Sequence, residues 1–151
     1  MHILLQTLRL KRMGREILIG IWVLLVMFSI NSCSKKINFL TSSIVPAARG
    51  HVTVNKDKNQ NYVIDMQLSN LAEVGRLTPS KQTYVVWMVT DQDMTKNIGQ
   101  INSSSSLLSK TLKASFETVT SVKPSKIFIT AEDDATTQYP GTQVVLTTNK
   151  F

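Results

Sequence analysis

The chain is short of the residues that most often carry chemistry. Its 151 residues include one cysteine, Cys33, and two histidines, of which only His51 lies beyond the first few positions. A single thiol excludes an intramolecular disulfide and a Cys-based zinc site. A nucleophilic triad around His51 has no cysteine nucleophile in the body of the chain, and His51 is read as a partly exposed strand residue. Charge of one sign is also less concentrated than the net +7 suggests. Arg9, Lys11, Arg12 and Arg15 fall in the first 16 residues, and from Ser34 onward 13 basic residues face 9 acidic ones. Those charges are scattered, with no basic stripe and no interleaved aromatics, so nucleic acid is excluded as a partner. What remains must fold by apolar packing alone, for which roughly 100 residues suffice.

What is present first is one long apolar run. Residues 17–30, ILIGIWVLLVMFSI, follow the four basic residues. This is the order of a secretory signal, with an n-region over 1–16 and an h-region over 17–30. Fourteen residues at about 1.5 Å each reach only about 21 Å, short of the roughly 30 Å of a bilayer core. Met13, followed by Gly14 and Arg15, offers an alternative start. Immediately after the run, Ile30-Asn31-Ser32-Cys33 resembles the lipobox of bacterial lipoproteins. The resemblance implies a diacylglycerol thioether on Cys33, cleavage of residues 1–32 and acylation of the new amino terminus. Asn31 departs from the small residue commonest at that position. A signal anchor retained uncut is the alternative, and it gives the same topology, with residues 34–151 on the outer side. Ser34 after the cysteine, in place of Asp, favours the outer membrane. Residues 33–48 read as a lipidated tether, with Phe39, Leu40 and Ile44 as an optional edge strand.

Over 49–151 the hydrophobic period is two. His51–Val54 and Asn61–Leu68 flank a polar turn, and Tyr62, Ile64, Met66 and Leu68 alternate against Asp65 and Gln67, which predicts a hairpin. TYVVWMVT, Thr83–Thr90, is apolar on both faces and is expected to be a central strand. Leu112–Val119, Lys126–Thr130 and Thr142–Thr148 add further strands. Gly50, Gly75, Pro79, Gly99, Pro124, Pro140 and Gly141 separate the runs. The expectation is an all-β, immunoglobulin-like antiparallel sandwich of about seven strands. Helix is expected only as a turn within Ser69–Val74 and at Ser106–Ser109. Ser103–Ser106 reads as a flexible loop.

The motifs of this region, "MQLSNL", "YVVWMVTD", "NIGQI", "LKASFETV" and "KIFITAEDDATTQYPGTQVVL", resemble in order and spacing the extracytoplasmic C-terminal domain of anti-sigma-K-type factors. The matching positions are Tyr84 and Trp87, Asn97 and Gly99, Thr130 and Glu132, and Pro140 and Gly141, within residues 49–148. The family holds its sigma factor with a cytoplasmic helical domain, and sixteen residues before the apolar run leave no room for one. No sigma factor is therefore expected to bind directly.

Three other groups have the composition of sites. Asp91-Gln92-Asp93-Met94-Thr95-Lys96-Asn97 has calcium-loop spacing at first, but Lys96 and Asn102 stand where glycine and glutamate are needed, so it reads as a polar turn. Glu132-Asp133-Asp134 reads as a solvated acidic loop. Trp87 reads as the filler between the two sheets. No nucleophile, base and oxyanion site assemble and no metal shell is complete. The expectation is a non-enzymatic envelope lipoprotein with no cofactor, joined to the membrane through Cys33 and bound to an envelope protein partner. The alternative is a glycan- or small-solute-binding module.

Overall fold

The computed structural model describes residues 36–101 and 113–151. Cys33, Leu112 and the segments Ser103–Ser106 and Ser106–Ser109 lie outside them. Eight strands follow in chain order: β1 Lys36–Asn38, β2 Arg49–Lys56, β3 Tyr62–Ser69, β4 Thr83–Thr90, β5 Thr95–Ile101, β6 Lys113–Thr120, β7 Pro124–Glu132 and β8 Val144–Thr147. They form two antiparallel sheets, β1-β2-β3-β6 and β5-β4-β7-β8. The chain crosses between sheets after β3, β5 and β6, the crossover pattern of an immunoglobulin-like sandwich. One more strand is present than the spacing predicts, because residues 36–48 belong to the sandwich instead of forming a tether. β1 pairs with β2 from Lys36↔Thr53 to Asn38↔His51. Val45 and Ala48 are buried, and Ser42 Oγ accepts from the Val45 N–H at 2.9 Å. No period of two marks this stretch, since its order comes from contacts remote in sequence.

The inter-sheet core follows from the alternation. Val52, Ile64, Met66 and Leu68 of the first sheet meet Tyr84, Val86, Met88, Ile127 and Ile129 of the second. Each such side chain, withdrawn from water, contributes about 1.5–3 kcal/mol. The β2–β3 hairpin is closed by Asp57, whose Oδ1 accepts from the N–H groups of Asn59 and Asn61, both at 2.8 Å. Gln60 takes the left-handed conformation there, at φ 65°. Thr90 Oγ1 performs the same service for the β4–β5 turn, accepting from Gln92 and Met94. A single 3-10 turn, Val74–Arg76, is the helical content of the described residues.

The sandwich is stitched along one side and plugged along the other. Leu40 N–H donates to Thr147 O at 2.8 Å and Phe39 bridges Thr148, so the chain after β1 joins the first sheet to β8. On the opposite side β5 faces β6. Gly99 lies inside β5 next to a bulge, at φ 139°, where an added Cβ would stand 2.8 Å from the Phe116 ring. Gly99 and Gly50 are thus strand residues, and Pro124 opens β7, where the sequence places all three between strands.

Candidate functional site

Trp87 departs most from expectation. It is fully buried, yet not between the sheets. Alternation along β4 sends Tyr84, Val86 and Met88 into the inter-sheet core and turns Val85 and Trp87 to the outer face of the second sheet. There the indole stacks on Phe128 across the strand pair, with ring centroids 6.2 Å apart and planes 14° from parallel. A run apolar on both faces conceals which face meets the other sheet.

The indole is sealed in by a polar latch. Trp87 Nε1–H donates to Thr130 Oγ1 at 2.7 Å, and Thr130 Oγ1–H donates to Glu132 Oε1 at 2.5 Å. The same carboxylate oxygen accepts from the Gly141 N–H at 2.7 Å. Glu132 is therefore buried at the end of β7, and the reading of residues 132–134 as one solvated loop is corrected. Asp133 is exposed and pairs with Lys81 at 2.6 Å. Asp134 caps a turn, and hydrogen bonds from Thr136, backbone first and then hydroxyl, hold its carboxyl below the usual carboxylate range against weak desolvation. The three acids look in three directions.

The loop 133–143 between β7 and β8 is fastened to this face. Asn97 on β5 donates both amide hydrogens, to Ala135 O and Thr137 O at 2.9 Å each, while its Oδ1 accepts from the Gly99 N–H. A side chain at position 141 would press on the Glu132 carboxylate, with Oε2 at 2.8 Å from an added Cβ, so a larger residue there would displace the latch. The loop carries Tyr139 out into solvent, 81% exposed, with Thr137 Oγ1–H donating to its carbonyl at 3.0 Å. Trp87, Asn97, Gly99, Thr130, Glu132 and Gly141, separated by up to 54 positions, thus cooperate in one device. Tyr84, by contrast, points into the core, donates its hydroxyl to Ala72 O at 3.0 Å and has its pKa pushed up to about 12 by burial.

His51 lies on the opposite sheet. In the row Asn38–His51–Gln67–Ser115, and with Arg49 and Lys113 two rows away on the same face, it lines an open groove of mixed polar and apolar surface. Among the described residues of its lining, Phe39 is the one phenylalanine, tyrosine or tryptophan. Asp91–Met94 forms the exposed β4–β5 turn, and Thr95–Asn97 enter β5, so the seven residues are not one loop. Among the described residues no three His, Cys, Asp or Glu side chains gather as a metal site. Within the latch the buried Thr130 hydroxyl is held between the Trp87 indole N–H and the Glu132 carboxylate.

Fold and site together define an immunoglobulin-like sandwich whose most built feature is a clamped loop presenting one aromatic side chain. Comparison of the chain with protein-family models, with curated proteins and with solved structures gives no significant match.

Proposed function

We propose that the chain is a non-enzymatic lipoprotein of the bacterial envelope, anchored through lipid on Cys33, most simply at the outer membrane with its sandwich in the periplasm. There it presents the domain to another envelope protein. The observation that carries the binding reading is Tyr139. An exposed aromatic on a loop whose backbone is held by Asn97 and Glu132 spares a partner the cost of ordering that loop, and aromatics contribute most per residue to protein interfaces. The motif positions of the anti-sigma-K resemblance support a domain of that type. Trp87, Asn97, Thr130, Glu132 and Gly141 act together, as members of one inherited structural pattern would.

Intact mass and membrane fractionation of the wild type and a Cys33→Ala variant test the anchor. Loss of residues 1–32, gain of acyl mass and release of the variant from the membrane are expected. Full-length protein retained in the membrane in both cases would replace the lipoprotein by a signal-anchored protein. A photo-crosslinking residue at position 139 tests the partner. It is expected to give a discrete adduct in cells that disappears when Asn97→Ala frees the loop. The second reading, a module for a small polar solute, is favoured by the groove around His51, whose lining is rich in hydrogen-bonding groups and poor in the stacking aromatics that glycans use.

A further inference from the structure

We propose that the end of the sandwich formed by the β2–β3, β4–β5 and β6–β7 turns is a docking face for anionic phospholipid, so that the domain stands in one orientation on the membrane that anchors it. This rests on attachment of the chain to a membrane just before residue 36.

The first observation is the charge distribution. Six lysines, Lys56, Lys58, Lys96, Lys123, Lys126 and Lys150, lie in or within a few residues of those turns and the C-terminal segment beside them, against three aspartates, Asp57, Asp91 and Asp93. Asp93 pairs with Lys150 at 2.6 Å, which leaves five lysines against Asp57 and Asp91. At the other end, among the described residues, four basic residues, Arg49, Arg76, Lys81 and Lys113, meet four acidic ones, Glu73, Glu132, Asp133 and Asp134. Two of those basic residues are already paired there, Arg76 with Glu73 and Lys81 with Asp133. The net excess of positive charge therefore sits at one end. Met94, 47% exposed near the tip of the β4–β5 turn, adds an apolar side chain to the same face.

The second observation is the length of chain. β1 begins at Lys36 and runs away from the lysine-rich end, since Lys36 pairs with Thr53 and Asn38 with His51. Three β2 residues, Val54, Asn55 and Lys56, separate that level from the β2–β3 turn. Cys33, Ser34 and Lys35 span at most about 10 Å whatever course they take. That length brings Cys33 at most level with Lys56 at the base of the β2–β3 turn, and it leaves no slack to lift the domain clear. A surface that close lies within about one Debye length of the turns. There each lysine shifts the partition toward an anionic leaflet by about five-fold.

The test uses the purified full chain, reconstituted in vesicles of phosphatidylcholine alone or with phosphatidylglycerol and acetylated briefly with an amine-reactive reagent. Mass spectrometry reads each lysine, and intact mass of the same sample reports whether Cys33 is acylated. In the anionic vesicles Lys58 and Lys123 are expected to react at least about five-fold more slowly than Lys113, with the difference absent in phosphatidylcholine and erased by salt. A Lys56→Gln, Lys58→Gln, Lys123→Gln variant is expected to lose the protection of Lys96 and Lys150. Equal rates at Lys58, Lys123 and Lys113 in anionic vesicles overturn the docking face, whether or not the acyl group is present. An unacylated, full-length mass overturns the lipoprotein reading alone, because the lysine pattern then judges the same face on a chain held by its apolar run.

Discussion

Two buried side chains of β4, one turned to each face, separate what local pattern decides from what it leaves open. Trp87→Phe keeps an aromatic against Phe128 but deprives Thr130 Oγ1 of its donor. Urea unfolding is expected to show a loss of about 1–3 kcal/mol. Trp87→Ala, which also empties the ring's volume, is expected to cost about 3–5 kcal/mol. A Trp87→Phe variant as stable as the wild type would show that the indole N–H contributes nothing. Tyr84 gives a pH signature. Its pKa is raised on folding, so its contribution is complete below pH about 10 and is lost as the pH climbs through about 12, because only the unfolded phenol ionises in that window. Stability of the wild type should therefore fall more steeply over that range than stability of Tyr84→Phe. That both residues are buried was legible in TYVVWMVT. Their assignment to faces was not, since both faces of the strand are apolar and only the loop 133–143, polar in composition, makes the outer one dry. Glu132 was hidden for a related reason. Beside Asp133 and Asp134 it looks solvated, and its burial depends on the Gly141 N–H nine residues on.

At the scale of elements, the hairpin β2–β3 was readable because a single alternating face decides its register, and Ile64, Met66 and Leu68 all fall where that face requires. β1 was not readable, because three residues have no period and its pairing is with a strand already formed. The loop 133–143 is the element whose order is most testable. Asn97→Ala removes two donors to the loop and one acceptor for Gly99. Hydrogen exchange at the amides of residues 135–141 is expected to rise by at least about five-fold, from the loss of roughly 1–3 kcal/mol of local stability. Unchanged exchange there would mean that the latch at Glu132 holds the loop by itself. The bulge in β5 is a second such point. Gly99→Ala meets both a left-handed backbone and the Phe116 ring, with an expected cost of about 1–3 kcal/mol. Adding Phe116→Leu should return the steric part alone, which thermal unfolding of the single and double variants can separate.

For the whole molecule, β4 is shared by the inter-sheet core and the latch, which makes the two one cooperative unit. In a Trp22→Phe chain, where Trp87 is the sole indole, its fluorescence and the far-ultraviolet dichroism are expected to change at the same urea concentration. An earlier fluorescence transition would mean that the loop lets go first. The stitch between β1, β2 and β8 has a further, mechanical consequence. β1 runs along the long axis of the sandwich from the end nearest Cys33, and its bonds to β2 lie across that axis. A partner pulling on Tyr139 against an anchor at Cys33 would load the bonds of Lys36–Asn38, together with those of Phe39 and Leu40, in shear and all at once. Peeling from a free end would break them one by one at far lower force. Under the proposed anchor and partner, the short strand that the sequence left unmarked would be the strain-bearing seam of the domain.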